Sequence, residues 1–262
     1  ITEPTARLMN RLGVLLLAKA SYAEAEPLMK RALAIDEASY GPAHPDVARD
    51  LNNLAMLLQP TNRLEEAEPL MRRALAINEA SYGPDHPEVA TNLNNLAQLL
   101  QDANWLGEAE PLMRRALSID ETSYGQNHPR VAIDLSNLAT LLQSTNRLAE
   151  SELLMRRALA IDQASYGTDH PTLAIGLNNL AVLLKNTSRL TEAEPLMCRQ
   201  LVILLRVTHS TEHPHPHLKQ AGKNYLALLR AMGLSEEEIS RRLLSLGEDA
   251  GFDAGTYRPL LA

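Results

Sequence analysis

The chain has 262 residues, 45% apolar and 22% charged, which is enough to bury a substantial core and is unlike a disordered segment. The formal net charge of −7 argues against a nucleic-acid partner, whose binding face is usually rich in lysine and arginine. A single cysteine, Cys198, excludes an intrachain disulfide and fits a reducing, cytoplasmic compartment, and no apolar run approaches a membrane span.

The chain opens at Ile1 with neither an initiator Met nor a basic-then-apolar signal segment, and reads as a fragment of a longer protein. Its first 38 residues form an incomplete unit, with Leu12, Leu15 and Leu16 on a first helix and Ala25 to Leu33 on a second. Four units follow, at about 39–80, 81–122, 123–164 and 165–206. Ser39-Tyr40-Gly41 returns at Ser81, Ser123 and Ser165, a step of 42 each time, and His44-Pro45 returns at His86, His128 and His170. Residues 39–80 and 81–122 are identical at 30 of 42 positions.

Each unit predicts two helices. The first opens at the proline of His-Pro, where a missing N–H costs nothing. It carries Val47, Leu51, Leu54, Leu57 and Leu58 at helical spacing. Asn62, with Glu65 three residues on, suggests a capping box opening the second helix. That helix carries Leu64, Ala67, Leu70, Met71, Ala74, Leu75 and Ile77 and stops at Gly83. Pro69, like Pro27, Pro111 and Pro195, falls inside it and predicts a mild kink; Leu153 holds that place in the fourth unit. Alanine recurs at 55, 97, 139 and 181 and at 67, 109 and 193, with Ser151 in the odd copy. Small residues at these places predict close helix contacts, and units that bury their apolar faces only by stacking.

After three inserted residues, Thr208 to Leu229 reads as a terminal first helix, with His215-Pro216 in the His-Pro place. Gly233 stops it, and Ser235 with Glu238 forms a capping box for a last helix to about Leu246. The organisation expected is therefore one array over 1–246, ending in capping helices over 212–246, and a tail over 247–262.

The run Leu93-Asn94-Asn95-Leu96-Ala97, then Glu108 to Leu112 and Arg115-Ala116-Leu117, then Gly125 and His128-Pro129, resembles the tetratricopeptide repeat in its 42-residue, kinesin light chain-like form, also common in bacterial proteins. The resemblance covers roughly residues 1–230. It implies an all-α fold, a right-handed α-solenoid of stacked antiparallel helix pairs, with a concave groove lined by the first helices. It also implies a protein or an extended peptide segment as partner. Tyr40, Tyr82, Tyr124 and Tyr166 stand where the light chains usually have an aliphatic residue, and no heptad segment is present, so kinesin transport is not implied.

If Leu51, Leu54 and Leu58 face the stack, then Arg49, Asn52, Asn53 and Met56 face outward. One outward column is Asn53, Asn95, Asn137, Asn179 and Asn224; its neighbour is Asn10, Asn52, Asn94, Ser136 and Asn178. A carboxamide offers donors and an acceptor, so a ladder of them can bond the backbone of an extended peptide. The resemblance gives matching asparagines that role. The alternative is that they bond within the stack. Beside them run Arg49, Thr91, Ile133, Ile175 and Met56, Gln98, Thr140, Val182, a face polar at first and more apolar later. It lacks the repeated cations needed to clamp acidic peptides.

Histidines at 44, 86, 128 and 170 are a helix spacing apart, too far to share a metal. His209, His213, His215 and His217 are closer in sequence but lack an acidic or thiol companion. Arg72-Arg73, Arg114-Arg115 and Arg156-Arg157 follow glutamates at helical spacing and read as surface ion pairs. Ser, His and Asp recur with the repeat, whereas an active site needs one assembled constellation. No catalytic, cofactor or metal residue is assigned. The leading function is a non-enzymatic peptide- or protein-binding adaptor. Alternatives are a sensor or autoinhibitory array acting on an absent catalytic domain, and a module that self-associates through the open ends of its stack.

Overall fold

The computed structural model describes residues 3–211, 213 and 215–251. They fall into two compact units, Ile1–Thr145 and Asn146–Ala262. Among the described residues every regular element is a helix.

The first unit holds α1 (Glu3–Ala18), α2 (Tyr22–Tyr40), α3 (Pro45–Leu58), α4 (Leu64–Tyr82), α5 (Pro87–Asp102), α6 (Leu106–Tyr124) and α7 (Pro129–Ser144). The pairs α1–α2, α3–α4 and α5–α6 are hairpins, and each second helix also packs on the next first helix. The second unit holds α8 (Leu148–Tyr166), α9 (Pro171–Asn186), α10 (Leu190–Thr211), α11 (Leu218–Ala231) and α12 (Glu236–Asp249). There α9 lies between α8 and α10, and α10 carries both α11 and α12.

The His-Pro dipeptide starts each first helix in a defined way. His44 is the N-cap, its Nδ1 accepts the Asp46 N–H at 3.2 Å, and Pro45 takes the first helical position. His86, His128 and His170 do the same for Glu88, Arg130 and Thr172. The preceding tyrosine holds the imidazole: Tyr40 stacks on His44 with ring centroids 4.4 Å apart, and Tyr82, Tyr124 and Tyr166 repeat the contact. Gly83, at φ +90°, ends α4 between these two rings in sequence and closes the linker.

The turn inside each hairpin differs from the expected capping box. Asn62 sits in the left-handed region at φ +57°, and Arg63, not Asn62, precedes α4 without a side-chain cap. The Arg63 N–H reaches back to the Leu58 carbonyl at 3.1 Å, as Trp105 reaches Leu100 and Arg189 reaches Leu184. Asparagine is thus used for its tolerance of positive φ, ending the first helix rather than opening the second. The second helices run on through Pro27, Pro69, Pro111 and Pro195. The equivalent Leu153 is 68% exposed, so this column faces solvent.

Buried alanines mark the helix crossings. Ala55, Ala97 and Ala139 on first helices, and Ala25, Ala67 and Ala109 on second helices, are fully buried in the first unit. In α1 the place of Ala55 is taken by Gly13, where an added Cβ would stand 2.6 Å from Met29 Cγ. Leu51, Leu54, Leu57 and Leu58 fill the spaces around these contacts, as do their counterparts in α5 and α7.

At the C-terminal end, α10 is a turn longer than its counterparts and includes Thr208, which the sequence placed on the following helix. The three inserted residues extend α10 and delay α11 to Leu218. His215 Nδ1 still accepts the N–H two residues on, that of His217, at 3.2 Å, but the N-cap of α11 is His217, without a side-chain cap, so His215-Pro216 does not open the helix as expected. Ser235 and Glu238 form the expected capping box on α12. Buried Tyr225 donates to Glu194 at 2.8 Å, and Arg242 pairs with the same carboxylate at 2.7 Å, which ties α11 and α12 to α10. The part of the expected tail from 252 onward lies outside the described residues.

Leu96→Ala, at a fully buried site of α5, is expected to cost about 2–5 kcal/mol in urea unfolding. Leu153→Ala, on the exposed column of α8, should change stability by no more than about 0.5 kcal/mol.

Candidate functional site

The outward face of the first helices carries the predicted asparagines, and in the first unit many of their groups are already engaged. Asn53 Nδ2 donates to Asn10 Oδ1 at 3.0 Å, and Asn95 Nδ2 to Asn52 Oδ1 at 3.1 Å. Each bond joins the second column of one unit to the first column of the unit before it. Asn10 passes the chain on by donating to Asp50, and Asn94 donates to Asp134 at 2.6 Å. Asn137 is half-buried beside them on α7 and makes no hydrogen bond among the described residues. One amide bond per side chain leaves capacity over, because a carboxamide has two N–H groups and two lone pairs. Asn53 and Asn95 keep their carbonyl oxygens unspent.

Arg49 is exposed but not free. Its guanidinium meets Asp36 at 3.2 Å and Asp50 at 3.1 Å, and it also pairs with Asp46. Asp36 and Asp50 belong to two buried polar columns that the sequence reading missed. One column is Asp36, Asn78, Asp120, Asp162; the other is Asp50, Asn92, Asp134, Gly176. The signal available was a joint change: where one column turns from Asp to Asn, so does the other. In the middle pair, Asn78 Nδ2 donates to Asn92 Oδ1 at 2.6 Å.

Two carboxylates cannot reproduce that bond without a proton. Asp120 and Asp134 are 3% and 2% exposed and stand within hydrogen-bonding reach of each other. Burial, and then the Asp120 charge, push Asp134 up to about 7, against the lowering effect of the Asn94 N–H and Arg130. Burial raises Asp120 as well. Asp50 is raised by the same cause, with Arg49 opposing it.

In the second unit Gly176 removes the partner of Asp162, whose carboxyl is raised by burial. A cleft of about 590 Å³ lies between α9, α10 and α11, lined by Asn178, Gln200, Gln220 and Asn224 together with Ile175 and Leu204. Ile175 is 62% exposed. Asn178 makes one long bond to Asn179, 3.4 Å, and Asn224 Oδ1 accepts from Gln220 at 2.9 Å. Gln200, which occupies a column otherwise held by Ala32, Ala74, Ala116 and Ala158, has no hydrogen-bond partner among the described residues. This cleft gathers two predicted residues, Asn178 and Asn224, and adds two glutamines that the sequence reading passed over; Asn179 does not line it.

The tetratricopeptide repeat model matches residues 4–79, 51–122, 106–164 and 135–199. The chain belongs to the tetratricopeptide repeat family. Solved tetratricopeptide repeat structures share its fold. A Podosopora anserina protein described as a kinesin light chain, with nearly identical TPR-like repeats, superposes with a TM-score of 0.65 at 22% identity, over 77% of this chain and 97% of that one. BtubC (BKLC) from P. vanneervenii gives 0.66 at 26% identity, over 79% and 82%. Pseudomonas aeruginosa pilF gives 0.55 at 19% identity, over 89% and 94%. No curated protein matches the chain. Tetratricopeptide repeat chains are in general protein-interaction scaffolds.

Elsewhere on this repeat array the charged columns are spent on one another. Arg72 pairs with Glu68 and Arg114 with Glu110, four residues back, and Arg73 and Arg115 reach Glu37 and Glu79 on the preceding second helix. Such exposed pairs contribute little individually. The imidazoles of His215 and His217 lie 5.5 Å apart, and His213 Nδ1 faces the Thr211 carbonyl.

The raised carboxyls fix a sign for stability against pH. A group whose folded pKa exceeds its unfolded value stabilises the fold most below the unfolded pKa, and that contribution is lost as pH rises through the folded value. Urea midpoints are therefore expected to fall between pH 4 and pH 8. Asp120→Asn combined with Asp134→Asn copies the Asn78–Asn92 arrangement. It should make the slope over that window shallower by roughly 1.4 kcal/mol per pH unit, about one proton. An unchanged slope would show that the pair holds no extra proton.

Proposed function

We propose that this chain is a non-enzymatic scaffold that binds an extended peptide, or an extended segment of a protein, along the outward face of its first helices. The observation that carries this reading is the second unit's cleft, where carboxamides with hydrogen-bonding capacity left over surround an exposed isoleucine. An extended backbone presents one donor and one acceptor per residue, and Asn178, Asn224, Gln200 and Gln220 match that need without regard to side-chain sequence. Ile175 and Leu204 supply the apolar contact that a solvent-exposed peptide lacks. In the first unit, the unspent oxygens of Asn53 and Asn95 and the partner-free amide of Asn137 extend the same chemistry. Asn52 and Asn94 serve to orient their neighbours, and Arg49 closes over the acidic pair behind it.

The cytoplasmic placement expected from the lone cysteine stays part of this proposal. Among the described residues no helix is long and apolar enough to cross a membrane.

Peptide display against the full chain tests the reading. Selected peptides should lose about tenfold or more in affinity for Asn178→Ala combined with Asn224→Ala, since each lost hydrogen bond is worth about 0.5–1.5 kcal/mol. Unfolding midpoints should stay within about 0.5 kcal/mol of the parent, because both side chains are half-exposed. Peptides that bind the double variant as tightly as the parent would remove the basis for this site.

A further inference from the structure

A different edge of the first unit carries a second site. Arginine stands immediately before the second helix at Arg63, Arg147 and Arg189, and Trp105 takes that place before α6. The backbone is the same: φ −92° and ψ 56° at Trp105, against −99° and 53° at Arg63. Arg63 and Arg189 each bridge two glutamates. Arg63 grips Glu66 with two bonds of 2.7 Å and reaches Glu26 of the preceding hairpin at 2.9 Å. In the second unit Arg189 holds Glu192 at 2.7 and 2.6 Å and Glu152 at 2.6 Å.

Glu26 and Glu152 therefore each meet two cations, the second being Lys30 and Arg156, both at 2.7 Å. Their carboxyls are held below the ordinary range, chiefly by Arg63 and Arg189. Glu68 is their counterpart in the hairpin before Trp105, and its one ion-pair partner among the described residues is Arg72, at 2.7 Å, which also reaches Glu108 at 2.9 Å. Beside it lies an open cleft of about 540 Å³ lined by Trp105, Glu65 and Glu68, by the paired Arg63 and Glu66, and by Leu99, Leu100 and Ala103. Glu65 has no ion-pair partner among the described residues. Trp105 is the chain's only tryptophan and is 45% exposed.

We infer that this cleft is a receptor for an arginine side chain presented by a partner protein, whose guanidinium lies on the Trp105 indole and pairs with Glu68. The partner's cation supplies to Glu68 what Glu26 and Glu152 obtain from their own chain. A guanidinium suits the cleft better than an ammonium, because its flat face stacks on an aromatic ring while its edge meets a carboxylate. Tryptophan is also a common energetic anchor of protein interfaces. This site does not rest on the peptide-binding face proposed above and uses none of its residues.

The single indole makes the test direct. In the ¹⁵N-labelled full chain, the one indole N–H signal is followed on addition of the tripeptide amide Gly-Arg-Gly, and separately of Gly-citrulline-Gly and Gly-Lys-Gly. The expected result is a saturable shift with the arginine probe, about tenfold weaker with citrulline, which keeps the shape and loses the charge. Glu68→Gln should weaken the arginine probe about fivefold or more. In Trp105→Arg, which restores the residue that this position has elsewhere in the array, the backbone signals of Leu106 and Glu108 should no longer respond. That variant should unfold at the same temperature as the parent or higher, so loss of binding is separable from loss of fold. A shift that does not saturate, equal binding of citrulline, lysine binding as tight as arginine, or binding retained by Trp105→Arg would each overturn the assignment.

Discussion

The spacing of the helices is set by alanine. Wherever a first helix crosses a second, one of Ala25, Ala55, Ala67, Ala97, Ala109 or Ala139 lies fully buried in the first unit. At that separation the leucines on either side must interlock, and no hairpin can cover its own apolar faces. The same geometry draws in whatever occupies the neighbouring columns. Asp36 and Asp50, Asn78 and Asn92, and Asp120 and Asp134 are buried because they stand where the backbones are close, and a larger apolar side chain would force them apart.

Those polar pairs show one problem met in three ways. Two buried acids side by side are costly when both are charged. Between Asp36 and Asp50 the chain places the Arg49 guanidinium. Between Asn78 and Asn92 it replaces both acids by amides, which supply their own N–H. Between Asp120 and Asp134 the column of Arg49 holds Ile133, the Asn94 N–H and the Arg130 charge compensate in part, and burial raises both carboxyls, which favours their protonated form. The second unit uses a further solution, deleting one member through Gly176. Each route offsets or removes the charge of a buried pair.

Much of the fold was legible because a strict period writes the helices four times over. The His-Pro starts of α3, α5, α7 and α9, the glycine stops and the alanine crossings lie where the pattern placed them, whereas α11 begins two residues after His215-Pro216. The hairpin turn was misread at Asn62 because asparagine followed by glutamate three residues later satisfies two local rules. The deciding factor is outside that window: the Arg63 N–H must return to the Leu58 carbonyl for the chain to reverse, and this requires positive φ at Asn62. Thr208 was assigned to the wrong helix because an insertion shifts the register without marking which element absorbs it. The asparagine columns were plain, but not their bonding. Asn95 meets Asn52, from the other column of the preceding unit, and that pairing depends on the stagger between adjacent first helices.

The same bonding bears on where function sits in an array of this kind. A residue that recurs in every unit has the same neighbours in every unit, and those neighbours use it. The histidines cap helices, the tyrosines brace the histidines, and the asparagines of the first unit join one layer to the next. Surface with capacity to spare arises where a copy breaks its column. In the second unit Gln200 stands where an alanine would and lines the amide cleft together with Ile175. Trp105 stands where an arginine would and leaves Glu68 one cation short. In this near-identical repeat the stack consumes much of what is common to the units.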